Sequence, residues 1–515
     1  MDFSRPSQLP NMTMKPLSLL AAFAALFGNT TLCTAQSATS AASACPTVLT
    51  PSYEAPVVGS GWTAQLIATG LTKPRSLTFD QSGALLVVQQ GSGIVRLTLT
   101  DNGGTCLAVN DTSTVVENSD VGVSCSKILN HAVQLSADGR TLYASTSNEV
   151  FRWPYDAAAG TVGDSETLVT NMSNSGHVSR TLLLSRKADN TLLVSRGSAE
   201  NLDFGAAQSD SGISQVRAFD ISNLPEGRPY NYPSEGRLMG WGLRNSVGVA
   251  EHPATGGIYS VENSADQIER SGTDIHQDNP GEEMNYHGFL NDSTQDQGGN
   301  YGYPDCFALW GTDNFPDKGN MTVGSQFVLN PTDTLNDTTC AQDHVPPRLT
   351  FQAHTAPLDM VFNSNGTTAY ITFHGSWDRT EPAGYVLSSV QFDGNTGTPV
   401  AQPDSNSAAA DVLSNADLSR CPDSCFRPVG LAWDGQGRLF MSSDSTGEIY
   451  VLQQFEMSAT GGTETGTGTL VTPTSSTNPN FAPRSGRNQP GGEAIFLTGL
   501  AVALSVVCGL FLTVA

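Results

Sequence analysis

The sequence predicts an all-β protein, a six-bladed β-propeller over residues 45–455, and three observations carry that expectation. One hairpin pattern recurs six times between the two ends of the chain. Glycine is abundant, 51 of 515 residues, while only 14 % of the chain is charged. Between the repeats no long stretch carries the 3.6-residue apolar period of an amphipathic helix.

Each copy is a short apolar strand, a turn centred on Gly or Asn, and a second strand ending in small polar residues. The copies begin at Arg75, Asn130, Ser179, Arg244, Pro357 and Arg427. Their turns centre on Gly83, Gly139, Asn190, Gly256, Gly366 and Gly437. The spacing leaves room for a four-stranded unit at each copy, and one longer gap holds an insertion around 265–350. A lone four-stranded sheet cannot bury both faces, whereas blades stacked around an axis and closed into a ring can. A pair of β-sandwiches would account for the strands but not for six similar hairpins.

Composition narrows the function classes. With 25 Lys+Arg against 49 Asp+Glu the formal net charge is −24, which excludes a nucleic-acid or other polyanion binder. A hydrophobic content of 38 % with low total charge fills a core and excludes bulk disorder. Long uncharged apolar runs occur only at the two ends, which excludes a multi-span membrane protein.

The ends read as addresses. Met14-Lys15, an apolar run from Leu17 to Phe27 and the small residues Cys33-Thr34-Ala35 have the layout of a secretory signal over 1–35. Residues 456–485 form a Ser/Thr/Gly-rich stalk. Ser485-Gly486, a polar spacer and the uncharged run Ile495–Ala515 then fit a glycosylphosphatidylinositol signal over 486–515, which is removed; a permanent single-span anchor would carry basic residues beyond the span. The mature protein is therefore expected outside the cell, held at the plasma membrane or cell wall only through a lipid anchor. Acceptor motifs for N-glycans at Asn110, Asn171, Asn291, Asn320, Asn336 and Asn365 agree with that compartment. Of nine cysteines, Cys33 and Cys508 leave with the signals. Sequence proximity suggests pairs Cys421–Cys425, Cys306–Cys340 and Cys106–Cys125, with Cys45 left over, although connectivity itself does not follow from sequence.

In a propeller the innermost strands begin at one end of the central channel, so equivalent repeat positions converge there. At that position this acidic chain places Arg75, Asn130-His131, His177 with Arg180, Arg244-Asn245, and Arg427. An inter-blade salt bridge would account for any one arginine. The set at one repeat position points instead to an anionic ligand with several carboxylates or phosphates.

The same residues carry a family resemblance. His177-Val-Ser-Arg-Thr-Leu182, Leu243-Arg-Asn-Ser-Val-Gly248, Asn300-Tyr-Gly-Tyr-Pro304 and Phe426-Arg-Pro-Val-Gly430 resemble segments of the soluble quinoprotein glucose/sorbosone dehydrogenases. Glu262-Asn-Ser-Ala-Asp266, Asp274-Ile-His276 through Glu282-Glu-Met-Asn285, and His374-Gly-Ser-Trp377 resemble the fungal pyranose dehydrogenases, which use pyrroloquinoline quinone with calcium. The resemblance implies a sugar substrate and hydride transfer to the quinone. It implies that His177 takes the sugar hydroxyl proton, that Arg244 and Asn245 grip the quinone oxygens, and that Arg75 and Arg427 meet the cofactor carboxylates. It places His374 on the pocket wall and gives calcium to the backbone carbonyls of Ser264, Ala265 and Asp266. Ser246-Val247 stands where the bacterial glucose enzymes carry Pro-Gln, and the His374 segment stands where they carry a lysine, which sets this chain apart from them.

The residue types suit that chemistry. A quinone performs the redox step, while the protein supplies orientation, a base and charge stabilisation. Neutral imidazole suits removal of the hydroxyl proton as hydride leaves. Calcium accepts irregular oxygen geometry, matching a carbonyl-rich loop. His131 is the competing base, with packing at the channel wall as its other role; His252, His276, His287 and His344 are expected in loops. For the acidic loop 274–283, a second calcium and plain solvation both stay open. With no appended cytochrome visible, electrons are expected to pass to a separate extracellular acceptor of quinone or cytochrome type. Two other readings are a calcium-dependent lactonase-type propeller hydrolase and a catalytically inactive binding propeller.

Overall fold

Apolar strands separated by turns that need a left-handed residue fold into hairpins, and here they do so six times. The computed structural model describes residues 45–121, 128–291, 294 and 297–455, so the expected signal, stalk and anchor segments lie outside the described residues. All six turn residues have positive φ: Gly83, Gly139, Asn190, Gly256, Gly366 and Gly437, from 56° at Asn190 to 80° at Gly256. At Gly366 the demand is also steric, since a Cβ there would stand 2.4 Å from the His252 ring.

The hairpins head six sheets, the blades of a propeller, each with four antiparallel strands at its heart; the second and fifth gain two short strands apiece, and in the second Tyr230–Asn231 adds in parallel to Glu166–Thr170. Their innermost strands are, in order, Pro74–Phe79, Leu129–Leu135, Leu182–Leu184, Ser246–Glu251, Pro357–Phe362 and Pro428–Trp433. Neighbouring inner strands touch all the way round, first against sixth included. The sixth sheet has Trp62–Ala68 as its outermost strand, paired antiparallel with Glu448–Gln454. The ring is thus closed by a strand from the start of the propeller, which the six hairpins alone did not reveal. Closure removes the unpaired sheet edge that an open stack would leave.

The core follows the same symmetry, one apolar cluster per blade interface. Leu86, Ile94, Leu142 and Trp153 join blades one and two; Val261, Met284, Ile371 and Phe373 join four and five; Leu85, Val87, Phe440 and Val451 join six and one. Hydroxyls on one blade also latch onto carbonyls in, or just before, the next inner strand: Ser145 Oγ to Arg180 O at 2.6 Å, Thr372 Oγ1 to Val429 O at 2.7 Å and Ser442 Oγ to Arg75 O at 2.7 Å.

The insertion falls in blade four, in the loop after Glu262 and after Glu282–Phe289. It carries small hairpins at Glu269–Arg270 with Thr273–Asp274 and Cys306–Ala308 with Gln326–Val328, and the helix Asp337–Asp343 capped by Asn336. Disulfides Cys306–Cys340 and Cys421–Cys425 form as expected. The third expectation is corrected: Cys106 bonds to Cys45, not to Cys125. The segment after Cys45 runs alongside the first and sixth blades, where Gln65 Nε2 donates to Thr47 O and Leu107 O. Distance along the chain misleads here: the true partner of Cys106 is 61 residues away, whereas Cys125 is only 19. His287 is also not in a loop; it is buried within Glu282–Phe289, with Nε2 2.8 Å from Ser260 Oγ.

Candidate active site

Two kinds of repeat position open on one end of the channel: the start of each inner strand and the end of the second strand. Arg75 and Arg427 come from the first kind, His374 and Asp444 from the second. Asp444 stands between two of them, 2.7 Å from Arg75 Nη1 and 2.8 Å from His374 Nε2. Burial would raise its carboxyl, but His374 and Arg75 outweigh that and hold it well below the usual carboxylate range. Burial brings His374 down to about 4, so it is neutral at ordinary pH. Arg427 donates through Nε to His374 O at 3.1 Å and through Nη2 to Gly375 O at 2.9 Å, and lies 5.5 Å from the Tyr385 ring centroid. It has no carboxylate partner among the described residues. His131 sits behind Arg75, its Nδ1 3.2 Å from Nη2, and burial pushes it well below its ordinary value.

Across the mouth, His177 precedes the third inner strand. Gly197 lets it approach Asn245, since a Cβ there would lie 2.5 Å from Asn245 Oδ1 and 2.7 Å from His177 Cβ. His177 Nδ1 is 3.1 Å from Ser198 O and 2.9 Å from Ser198 Oγ. A carbonyl only accepts, and Ser198 Oγ already donates to Glu200 O at 2.8 Å, so Nδ1 carries the hydrogen and Nε2 the lone pair. Burial, then Arg244, push the ring down to about 3.

Arg244 is fully engaged. It donates to Asn201 O and Oδ1, to Asn263 O, to Ser264 O at 2.5 Å and to Asp266 Oδ2 at 3.0 Å. Asp266 also faces His354 at 3.5 Å, and His354 faces Asp378 at 3.4 Å. Asp266, His354 and Asp378 are grouped closely enough to hold a cation, and both Asp378 oxygens are buried without a hydrogen-bond partner. Burial raises Asp378, whereas the two carboxylates outweigh burial at His354 and raise it. One chain of bonds ties the halves together. Glu282 accepts from Ser264 N at 2.7 Å and from Ala356 N at 3.0 Å, and Ala356 O accepts from His374 N at 2.9 Å. The turn it holds is strained, with φ of 62° at His354 and 53° at Ala356.

Residues 56–455 match the family model described as TrAA12-like. The chain belongs to the TrAA12-like family. It is 53 % identical over 439 residues to a pyrroloquinoline quinone-dependent sugar dehydrogenase of Hypocrea jecorina, a match covering 85 % of this chain and 96 % of the relative. It is 35 % identical over 426 residues to a pyrroloquinoline quinone-dependent pyranose dehydrogenase of Coprinopsis cinerea, covering 80 % of this chain and 56 % of that longer protein. Among solved structures, the calcium structure of the Trichoderma reesei carbohydrate-active enzyme of family AA12 superposes with TM-score 0.76 at 55 % identity, over 80 % of this chain and all of that one. The holo pyrroloquinoline quinone domain of the Coprinopsis pyranose dehydrogenase gives TM-score 0.72 at 35 % identity, over 79 % and 99 %.

In this TrAA12-like chain the expected residues assemble as two groups at one mouth. Arg75, His374 and Arg427 form one; His177, Arg244, Asn245, Ser264 and Asp266 form the other. Ala265 is buried among Ile268, Tyr303 and Phe307 and offers only its backbone. Arg180 does not join them: its guanidinium is spent on the carbonyls of His177, Ser179 and Met172. In the loop 274–283, Asp274 holds His276, Asp278 faces Arg379, and Glu282 and Glu283 are buried. Sequence reasoning missed Asp444, His354, Asp378 and Glu282. Asp444 had a signal, because it closes the sixth hairpin just as His374 follows the fifth; only strand starts were compared. His354 lies in a joining segment outside the repeat and carried none.

Proposed function

We propose that this chain oxidises a sugar by hydride transfer to pyrroloquinoline quinone, with the quinone seated between the Arg75–Asp444–His374–Arg427 group and His177. One observation carries the reading. Buried polar atoms at this mouth, Arg75 Nε, His374 Nδ1, Asn130 Oδ1 and Asn263 Oδ1, have no hydrogen-bond partner among the described residues, and Arg427 beside them is a cation bonded only to backbone carbonyls. Unpaired buried polar groups are costly, so such a set suits a polar, multiply charged occupant. The residues therefore fit the cofactor. Arg75, Arg427 and His374 would meet its carboxylates and ring oxygens, with Arg244 and Asn245 bordering it. The calcium donors would be the carboxylates of Asp266 and Asp378, with the carbonyls of the Ser264 loop. Oxygen-rich, irregular donor sets are what calcium accepts.

When bound, the quinone supplies the hydride acceptor. Everything else falls to the chain. His177 takes the sugar hydroxyl proton at Nε2, which the Ser198 contacts leave as the basic nitrogen. Burial keeps it neutral and ready at any ordinary pH. Asp444 orients His374 and keeps Arg75 in place. Glu282 spaces the two loops that bring Ser264 and His354 together.

We also propose that the protein is secreted and glycosylated, carries a lipid anchor and hands electrons to a separate extracellular acceptor of quinone or cytochrome type. Five of the six acceptor asparagines, Asn110, Asn171, Asn291, Asn320 and Asn365, are exposed, which supports the glycan part; Asn336 caps a helix and is half-buried. Adding pyrroloquinoline quinone and Ca²⁺ to purified protein tests the core of the proposal. A bound-quinone absorption band that bleaches when a sugar is added is the expected result. Absence of that band with both added would overturn it.

A further inference from the structure

We propose that Trp377 is a stacking platform for a second sugar ring, so that the site takes the end of an oligosaccharide and not only a free monosaccharide. This rests on the sugar-oxidising reading above and names its substrate class. Trp377 is 45 % exposed, while the other five tryptophans are buried or half-buried. It follows His374 by three residues on the loop that leaves the fifth blade at the mouth. The loop around it is fixed. Ser376 N donates to Ala383 O at 2.9 Å, Ala383 N donates back to Ser376 Oγ at 3.0 Å, and Tyr385 OH bonds Ser376 O. On the other side Arg379 reaches the Gln277 carbonyl and Asp278, and Thr380 N donates to Gln277 Oε1 at 2.9 Å.

The next residue, Asp378, turns inward: its side chain is 1 % exposed and faces His354. The indole is therefore presented to water on a rigid base whose other residues are anchored. Leaving so large an apolar face wet is unfavourable unless something covers it. A pyranose ring is suited to do so. Its C–H face stacks on an aromatic ring, and its hydroxyls find the polar edge, here Arg379, Thr380 and Asp278. A second exposed aromatic, Phe204 at 67 %, lies on the loop carrying Asn201, which binds Arg244 and Asp266. The two aromatic-bearing loops reach Asp266 from blades three and five. An extended saccharide would have a platform on either side of that point.

The test compares wild type, Trp377→Ala and Trp377→Phe using cellotetraose, maltotetraose and xylotetraose with glucose and xylose. In the quinone-free full-length protein, at least one tetrasaccharide changes the tryptophan fluorescence, and Trp377→Ala abolishes that change. In the quinone-loaded protein, Trp377→Ala raises KM for that tetrasaccharide about 2- to 12-fold, as loss of one aromatic stacking partner does. The monosaccharide parameters stay within about twofold, and Trp377→Phe recovers most of the loss. No tetrasaccharide response in wild type, or equal effects on mono- and tetrasaccharides, would overturn the platform. Quinone uptake is read by absorption on the same samples; its failure would overturn the redox reading while the fluorescence titration still judges Trp377.

Discussion

His177→Ala isolates proton transfer from cofactor binding. The imidazole contacts Ser198 through Nδ1, and none of its described bonds reaches Arg75, Arg427 or His374, so the variant should take up the quinone as wild type does. Turnover should fall by about 10²–10⁴, the usual contribution of a positioned base. The pH dependence is the sharper number. An imidazole titrating at its ordinary value would be only about 3 % neutral at pH 5, and the rate would climb about thirtyfold towards pH 8. With the ring pushed down to about 3 by burial and Arg244, it is neutral throughout that range. Wild type should therefore show a nearly flat kcat between pH 5 and 8, measured by dye reduction under saturating sugar and quinone. A thirtyfold rise that disappears in His177→Ala would show that the ring titrates in the open, and the buried-base argument would fail.

Three further outcomes follow from the same geometry. Arg427→Ala removes a cation without a carboxylate partner, and quinone affinity measured by absorption titration should drop about 30-fold to several-thousand-fold, the equivalent of about 2–5 kcal/mol; unchanged uptake would make that arginine a brace for the His374–Gly375 backbone. Glu282→Gln keeps the side-chain shape but turns an acceptor into a donor facing Ser264 N or Ala356 N, so calcium affinity by calorimetry on quinone-free protein should fall about 10- to 100-fold; equal affinity would free the two loops from its control. For stability, His177, His287 and His374 are held near 3 to 4, so the unfolded chain takes up protons first and stability is lost as pH falls below about 6.5. Glu283 and Asp359 are raised by burial to about 7, so their contribution is lost as pH rises from about 4.5 through 7; thermal melting should peak in mildly acidic buffer, a peak above pH 8 would contradict the carboxyl part, and a peak below pH 4 would contradict the histidine part.

The propeller was legible because its signal repeats: six turns must each supply a left-handed residue, and Gly83 through Gly437 announce themselves at a shared place in the pattern. The arginines and His177 were legible for the same reason, being at repeat positions in a chain poor in base. What escaped belongs to places without a repeat. His354 reaches the site on a strained turn between blades four and five, and its contact with Asp378 links segments that no periodicity relates. Trp62–Ala68 reads as an ordinary short strand, and only the closed ring reveals that its partner lies at the far end of the domain. Cys45 was left over because nearness in sequence favoured Cys125, 19 residues from Cys106, over a partner 61 residues away.

The strand that shuts the ring is made first and needed last. Between Ala68 and Glu448 roughly 380 residues must be synthesised, about 20–80 s at common elongation rates, before a partner for that strand exists. Through that interval a nascent chain carries an unpaired β edge whose proper neighbour has not been translated. Cys45–Cys106 spans only 61 residues and needs nothing beyond the first blade, so it can close early and moor the waiting segment beside the place where blade six will assemble. A premature stop before Gln454 would leave this moored strand without its match, and the truncated product would expose a ready template for pairing with its neighbours.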